Sequence, residues 1–364
     1  MRTDDVLLAL VRAELWNERI AGREISPSRY LSLMAAAERQ TVSGLVGKSL
    51  MEQANGFKLA MSDAVDLFTK LNVISASNAK VTRGLAELCA LLHGHGIPFI
   101  VFKGQTLGAL YPHPACRLPG DVDFYVPPTH FHRAAGLIGK AWNMDLADTH
   151  SPRHWEFTHN GVAFEMHFRM LKFYSNDNQR FFDSLLDAMP AESITLQSDG
   201  QSFDVPVLEP ALNMVYTFGH LWHHLLEQGV GLRQLCDLAV LMDARRDADR
   251  ARTAMILDRL GFRKAFLVVC GVLVNALGLD KEAVPVPFDK RRKRQEKRIL
   301  DIVLRRGNFG WYGRKSHRHG LLHALETGWR QISSYIKFYP LASKELRAKV
   351  AKDLPMAVLK VFRR

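Results

Sequence analysis

The chain has 364 residues, a net charge of +12 at pH 7 and an isoelectric point near 9.6. Its composition, 47% hydrophobic and 24% charged, is that of an ordinary globular protein. A chain of this length has room for about two to three domains with substantial cores. The basic excess favours polyanionic partners, and nucleotides, nucleic acid and an acidic membrane surface all qualify.

Several classes of protein are excluded by motifs that the sequence lacks. The four cysteines are scattered and form no CxxC pair, which argues against a disulfide framework or a zinc knuckle. Neither a GxxxxGK[ST] loop nor a GxSxG elbow occurs, so no P-loop protein or serine hydrolase is indicated. The apolar run over residues 6–11 is no signal peptide, and residues 265–279 are too short to span a bilayer. We therefore expect a cytoplasmic protein with no transmembrane segment.

Residues 1–92 are predicted to be helical. Asp4 and Asp5 can cap a first helix that runs to Ile20, and Ser26-Pro27 provides a cap and a first-turn proline for a second helix. Apolar residues recur at helical spacing over about residues 62–93, which indicates a long third helix. This region carries no obvious chemistry, and we interpret it as packing or substrate-shaping.

Residues 97–126 concentrate the candidate chemistry. They hold two apolar runs typical of strands, residues 98–102 and 122–126. The strand period of two puts Asp121 and Asp123 on one face of the second strand. Neighbouring carboxylates repel unless a cation lies between them, and paired oxygen ligands suit Mg²⁺ together with substrate phosphates. The alternative is a strand edge with two solvated acids.

A glycine turn between these strands favours the metal interpretation. Lys103-Gly104 ends the first strand and precedes a helix-like run over residues 105–111, which brings backbone N–H groups near the carboxylates. Lys103 adds a positive charge suited to phosphate. A phosphate cradle and metal ligands within one unit indicate a triphosphate site.

Residues 154–168 predict a β-hairpin. Asn160-Gly161 between alternating strands is a strong turn signal, and a two-residue turn places Glu156 opposite Glu165. The polar face of the hairpin then carries His154, Glu156, Glu165, His167 and Arg169. Opposed glutamates need a partner, which a metal or the nearby His and Arg side chains could supply. A helix over about residues 180–189 and a weak strand near residues 193–196 are predicted to follow.

The pattern KG…YP…R…GDVDFYV over residues 103–126 resembles the uncharacterised nucleotidyltransferase family of the DNA polymerase β-like superfamily. Members of that family carry a glycine turn, an acid-hydrophobic-acid strand and a third acid on a later strand. Glu165-Met166-His167 matches the third position, with Glu where Asp is usual. The resemblance implies a mixed α+β fold, in which a small mixed β-sheet nucleotidyltransferase core is flanked by N- and C-terminal helical regions.

The resemblance also implies an activity. A nucleoside triphosphate such as ATP would donate its nucleoside monophosphate to a hydroxyl on a small molecule, sugar, protein or RNA, with release of pyrophosphate. Asp121, Asp123 and Glu165 would be the catalytic residues and would hold Mg²⁺ or Mn²⁺. The nucleotide and its phosphates would be bound by Lys103, Gly104, Gln105, Arg117, His167 and Arg233.

We divide the chain into an N-terminal helical region (1–92), a catalytic core (93–205), a helical domain (206–284) and a basic C-terminal helical region (285–364). In the helical domain, His220, His223 and His224 share a helix face. No acid at suitable spacing completes a zinc site there, so polar helix contacts are favoured. Arg233 and Asp237, four residues apart, are expected to form an intrahelical ion pair, although Arg233 also lies in a segment that resembles the family's Gly-Leu-Arg…Asp helix.

The C-terminal region is strongly basic. Residues 289–298 hold seven basic residues against two acidic ones, and aromatic residues lie among further basic residues over 307–319. Such a region can bind nucleic acid, although a basic run at a helix start is more often a solvated face. Residues 343–364 form a basic amphipathic pattern broken at Pro355, suited to a partner or to peripheral membrane contact.

Two alternatives to an active transferase follow from these observations. The first is a nucleotide-binding protein with a degenerate site, in which Glu165 replaces the usual Asp. The second is a nucleic-acid-binding protein, including a tRNA-modifying toxin, that acts through the basic C-terminal region.

Overall fold

A computed structural model describes residues 2–351 apart from 53–55, 147–150, 152, 190, 289–291, 311 and 313–320. The strands are β1 (Ile100–Phe102), β2 (Val122–Tyr125), β3 (His154–His159), β4 (Val162–His167), β5 (Ala191–Ser198) and β6 (Gln201–Leu208). They form one six-stranded mixed sheet in the order β3-β4-β2-β1-β6-β5. The mixed α+β class predicted from the sequence is confirmed.

Helices lie on both sides of this sheet. Those before β3 are α1 (Thr3–Trp16), α2 (Pro27–Arg39), α3 (Ser43–Met51), α4 (Met61–Gly94), α5 (Gly104–Gly108) and α6 (Pro128–Trp142). Those after β4 are α7 (Asn176–Leu186), α8 (Pro210–Glu227), α9 (Leu232–Ala244), α10 (Arg250–Leu260), α11 (Arg263–Leu277), α12 (Lys293–Arg306) and α13 (Leu321–Phe338). Residues 343–351 are also helical.

The two faces of the sheet bury separate apolar cores. One face, which includes Val122, Phe124 and Phe164, packs with side chains of α4 and α6. The other face, which includes Phe102 and Tyr125, packs into a larger core built by α1–α3 and α8–α12. Because side chains alternate along a strand, Asp123 lies on the same face as Tyr125 and points towards α8 rather than α4.

Strand pairing brings the predicted acids together. β1 runs antiparallel to β2, and β2 runs parallel to β4 in a register that places Asp123 beside Glu165. The predicted hairpin register is confirmed, since β3 and β4 pair Glu156 with Glu165. The turn residues Asn160 and Gly161 have φ values of 50° and 66°, the left-handed conformation that this turn requires.

Three segments differ from the sequence expectation. α1 ends at Trp16 rather than Ile20, because Asn17 adopts a left-handed conformation (φ 52°) that stops the helix. The weak strand near residues 193–196 belongs to the longer strand β5, which pairs along its full length with β6, a strand the sequence analysis did not predict. The short helix after the first hairpin is α7, which begins and ends earlier than expected.

Helices near both ends of the chain are fixed to the core. Trp16 Nε1 donates a hydrogen bond to the Leu277 carbonyl oxygen at 2.6 Å, which joins α1 to the end of α11. Gln40, 1% exposed, donates through Nε2 to the Val303 carbonyl in α12 at 3.0 Å and accepts from the Leu232 N–H at the start of α9. These contacts make α1 and α12 parts of the main packing unit.

The basic C-terminal features are only partly described. Predictions for residues 289–291, 311, 313–320 and 352–364 lie outside the described residues. In α12 the buried face carries Glu296 and Ile299, while Lys293, Arg294 and Lys297 are exposed. Across the described helices, no segment combines the length and the apolarity needed to cross a bilayer.

A buried glutamate in α1 predicts an unusual pH dependence of stability. Burial raises the pKa of Glu14 to about 7, against the hydrogen bond from His113. Between the usual carboxyl pKa and pH 7 the folded state therefore binds more protons than the unfolded state, so stability falls as pH rises through this window. Glu14→Gln is expected to raise the free energy of unfolding by roughly 1–3 kcal/mol at pH 8 and much less at pH 5. Urea unfolding at both pH values measures this, and the same change in the free energy of unfolding at the two pH values would contradict it.

Candidate functional site

A pocket of about 300 Å³ lies between the sheet and helices α8 and α9. Most of the residues proposed from the sequence line it: Lys103, Gly104, Arg117, Asp121, Asp123, Glu165, His167 and Arg233. They come from the turn between β1 and α5, from α5, β2, β4 and α9, and from the loop before β2. Sheet pairing and helix packing therefore assemble the site from distant parts of the sequence.

The three predicted acids differ in exposure. Asp123 is 6% exposed and lies opposite Phe102 on one side and Glu165 on the other. Glu165 is half-buried, and Asp121, just before β2, is exposed at the pocket wall. The side chains therefore run from the sheet interior to the pocket opening.

A lysine and a histidine join two of these carboxylates into one network. Lys103 Nζ lies 2.9 Å from Asp123 Oδ1. His167 Nε2 lies 3.1 Å from Asp123 Oδ1 and 3.1 Å from Glu165 Oε2. Lys103 has φ 61° and ψ −152°, a region that non-glycine residues rarely adopt and that costs on the order of 1–3 kcal/mol. The fold thus keeps Lys103 in a strained backbone conformation in which its ammonium group contacts Asp123, the most buried of the three acids.

The network sets the protonation of the acids. Burial acts to raise the pKa of Asp123, but the Lys103 charge and the His167 hydrogen bond outweigh it and hold this pKa well below its usual range. Burial also acts to raise the pKa of Glu165, yet the hydrogen bond with His167 leaves that pKa below its usual value. Although Asp121 has exposed surface, desolvation of its carboxyl group in the pocket raises its pKa, and the negative charges of Asp123 and Glu165 raise it further. Asp121 is therefore the acid that gains most from an added cation.

Because Gly104 has no side chain, its backbone can lie close to the segment that carries the acids. Its φ is +48°, and a Cβ at this position would lie 3.2 Å from the Asp121 carbonyl oxygen. Any larger residue would be strained by this φ and would crowd the start of β2. The glycine lets α5 begin against the pocket.

Three other predicted residues are held by protein groups. Gln105 does not line the pocket and donates to Thr82 Oγ1 in α4 at 2.7 Å. Arg117, 4% exposed, forms two hydrogen bonds to Asp237 at 2.7 and 2.8 Å. Arg233 Nη1 donates to the Leu118 carbonyl oxygen at 2.9 Å. The expected Arg233–Asp237 ion pair is absent among the described residues, because Asp237 pairs with Arg117.

Several pocket residues were not singled out as site residues in the sequence. His220 and His224 of α8 lie with their Nε2 atoms 3.1 Å apart, and His220 Nε2 is 3.3 Å from Lys103 Nζ. Burial holds the pKa of His220 well below its usual value and lowers the pKa of His224 to about 4, so both rings are neutral at pH 7. His223 instead packs against Phe173. All three histidines lie on α8, but of the three only His220 and His224 line the pocket.

Arg153 also lines the pocket. It lies at the start of the hairpin, and its positive charge lowers the pKa values of His220 and His224. Among the described residues its guanidinium group has no carboxylate partner within ion-pair distance. No motif marks Arg153 in the sequence, because only the packing of the hairpin against α8 brings it to the pocket.

The donor set suits a divalent cation bound with phosphates. Asp121, Asp123 and Glu165 offer carboxylate oxygens on one sheet face, the ligands that Mg²⁺ and Mn²⁺ prefer. A positive charge already lies on Asp123, supplied by Lys103. The ligand types of these residues fit the metal that the sequence resemblance implies, and an ion bound by Asp123 would share this carboxylate with Lys103 or displace the lysine from it.

An acid in register beside an acid-hydrophobic-acid strand, with a glycine turn next to them, is the arrangement expected from the resemblance to nucleotidyltransferases. The family model described as an uncharacterised nucleotidyltransferase matches residues 27–278, and the chain belongs to this family. Among solved structures, an antigenic nucleotidyltransferase-like protein from Paracoccidioides brasiliensis is similar at 15% identity and a TM-score of 0.30, over 58% of this chain and 92% of that chain. No curated protein matches.

Proposed function

We propose that this protein transfers a nucleoside monophosphate from a nucleoside triphosphate to a hydroxyl group and releases pyrophosphate. The observation that carries the proposal is the parallel register of β2 and β4, which holds Asp123 and Glu165 side by side in the pocket that Gly104 also lines. Membership of the family supports the reaction class. The acceptor and the base of the nucleotide are left to experiment.

The proposed roles follow from the positions of the side chains. Mg²⁺ or Mn²⁺ held by Asp121, Asp123 and Glu165 would neutralise the triphosphate and lower the pKa of the attacking hydroxyl. Glu165, ionised at neutral pH, accepts the proton of the acceptor hydroxyl. Gly104 lets the phosphates approach the backbone, and Lys103 supplies positive charge beside them.

Arg117 and Arg233 have positioning roles in this proposal. The guanidinium group of Arg117 is buried on Asp237, and Arg233 holds the carbonyl group of Leu118 in the loop before β2. Both residues thereby fix the segment that leads to Asp121. Gln105 fixes α5 against α4 in the same way.

The proposal is tested first by thermal shift with each of the four common nucleoside triphosphates, with and without Mg²⁺ or Mn²⁺. A ligand at about a hundred times its Kd stabilises the folded state by roughly 2.7 kcal/mol, which is enough to detect. We expect metal-dependent stabilisation by at least one nucleotide, followed by pyrophosphate release from that nucleotide when water, the protein itself or a supplied hydroxyl compound accepts the nucleoside monophosphate. Stabilisation without release would favour a degenerate nucleotide-binding site, and no stabilisation by any nucleotide would contradict the proposal.

Arg153→Gln is expected to weaken nucleotide binding by roughly 10- to 100-fold, since a hydrogen bond to a charged group contributes about 1.5–3 kcal/mol. The physical reason is that Arg153 lines the pocket as a cation, and no salt bridge joins it to a carboxylate among the described residues. Calorimetric titration with the stabilising nucleotide and Mg²⁺ measures the effect. Arg180→Gln is the matched control, because Arg180 is exposed and pairs with Asp177 away from the pocket. Equal affinities of the two variants would remove Arg153 from the binding site.

A further inference from the structure

We propose that His154, Glu165 and His167 hold a divalent transition-metal ion that the protein binds without nucleotide. The inference concerns a second donor set beside the magnesium ligands, with Glu165 common to both. It does not require transfer activity, because it predicts binding of a metal ion to the unliganded protein.

The three side chains converge on one point at the base of the hairpin. His154 and His167 are paired across β3 and β4, and their ring centroids are 4.7 Å apart. His154 Nδ1 is 3.9 Å and His167 Nε2 is 3.1 Å from Glu165 Oε2. In the unliganded protein His167 Nε2 carries the proton that it donates to Asp123 and Glu165, and the bound ion would replace that proton. One donor atom from each residue lies within 4.8 Å of the others. Ligand bonds of about 2.1 Å in a tetrahedral arrangement place donor atoms about 3.4 Å apart, and the two separations from Glu165 Oε2 lie within about 0.5 Å of this value.

A neighbouring carboxylate orients the first histidine. His154 Nε2 lies 2.8 Å from Glu156 Oε1, a hydrogen bond in which the ring donates to the carboxylate. This bond fixes the tautomer with the lone pair on Nδ1, the atom that faces Glu165. Metal-binding histidines in proteins almost always have such a carboxylate or carbonyl partner on their second nitrogen. The hairpin therefore provides both a ligand and the group that orients it.

Charge and burial add to the case. His154 is 7% and His167 3% exposed, so these donors are already removed from water. Glu156 and Glu165 oppose each other across the two strands, and a cation between the strands relieves their repulsion. Lys103 already neutralises Asp123. Glu165 is the carboxylate that remains for the new ion.

The donor types determine which ions should bind. Imidazole nitrogen suits zinc, iron, nickel and copper, whereas Mg²⁺ requires oxygen ligands. Two imidazoles and one carboxylate are also a common ligand set for zinc and for non-haem iron. We therefore expect Zn²⁺ and Co²⁺ to bind more tightly than Mn²⁺, and Mn²⁺ more tightly than Mg²⁺.

The test is a metal titration of the full chain, without an affinity tag, after removal of bound metals with a chelator. We expect one Zn²⁺ per chain, bound at least about a hundredfold more tightly than Mg²⁺ in the absence of nucleotide. Co²⁺ should give the visible absorption of a four- or five-coordinate site. His154→Gln should weaken Zn²⁺ and Co²⁺ binding at least about tenfold, and Glu156→Gln, at a more exposed position, should weaken it several-fold through the lost orientation of His154.

His95→Gln is the control, because His95 is exposed in α4's terminal turn and away from the hairpin. It should leave the Zn²⁺ affinity unchanged. The proposal is overturned if Zn²⁺ binds no more tightly than Mg²⁺, or if both hairpin variants bind it as well as the native chain does. Either result leaves the nucleotide thermal shift unaffected, so failure of this site and failure of the transferase proposal are distinguishable.

Discussion

Asp123→Asn is expected to reduce pyrophosphate release by at least about a thousandfold, because charge stabilisation of several kcal/mol depends on this carboxylate and each 1.4 kcal/mol is about tenfold in rate. Asp123 is the acid that the structure places deepest, between β1 and β4. Asparagine keeps its size and can still accept a hydrogen bond from Lys103, but it removes the negative charge. The measurement is pyrophosphate release from the nucleotide that stabilises the native protein, with water or the protein itself as acceptor.

Two comparisons make this result specific. Asp204→Asn removes an exposed carboxylate from β6 that accepts a hydrogen bond from the exposed Thr195, and it should leave release unchanged. The circular dichroism spectrum and the melting temperature of Asp123→Asn show whether the loss reflects unfolding. A folded Asp123→Asn variant with native release would contradict the proposed role.

Arg117→Met is expected to lower the free energy of unfolding by about 3–5 kcal/mol, since it leaves a charge buried without its partner. Burial acts to raise the pKa of Asp237, but the Arg117 charge outweighs it and keeps the carboxylate ionised. In the variant the carboxylate retains the hydrogen bond from the Tyr111 hydroxyl at 2.7 Å but loses its counter-charge. Urea unfolding at pH 7 measures the change.

The matched control breaks an ion pair of the same geometry on the surface. Arg83 forms two hydrogen bonds to Asp199, at 2.8 and 3.0 Å, with both side chains exposed. Arg83→Met should therefore have no measurable effect on unfolding. Adding Asp237→Asn to Arg117→Met should recover part of the lost stability, because the unpaired charge disappears. Equal stability of the Arg117 and Arg83 variants would show that the buried pair contributes nothing.

The parts of the fold that could be predicted are those with local signals. The turn at Asn160-Gly161 fixed the register of the first hairpin, and alternation in residues 121–126 placed the two aspartates on one face. Asp199-Gly200 is a comparable signal, since these residues form the turn between β5 and β6 with φ values of 49° and 78°. Strand β6 was not predicted, because Pro206 and several polar residues weaken its apolar pattern.

The parts that could not be predicted depend on contacts between distant segments. Asp237 lies four residues after Arg233, and this local spacing favoured an ion pair between the two. In the structure α9 packs against the loop before β2, so Asp237 forms its ion pair with Arg117 instead. In the same way, Arg153 and His220 reach the pocket only because the hairpin and α8 meet there. Residue spacing within one helix or strand carries no information on contacts between elements that are far apart in the sequence.

The matched family segment, residues 27–278, does not coincide with what folds together. A fragment limited to residues 27–278 would lack α1, whose Leu7, Leu10 and Val11 have no exposed surface. It would also lack α12, whose Ile299 and Val303 are equally buried. It would also leave the side-chain amide of Gln40 without its acceptor in α12. A minimal fragment cut at those limits would present bare apolar surface at both cuts. A fragment chosen for expression and crystallisation should therefore retain the residues from α1 through α12.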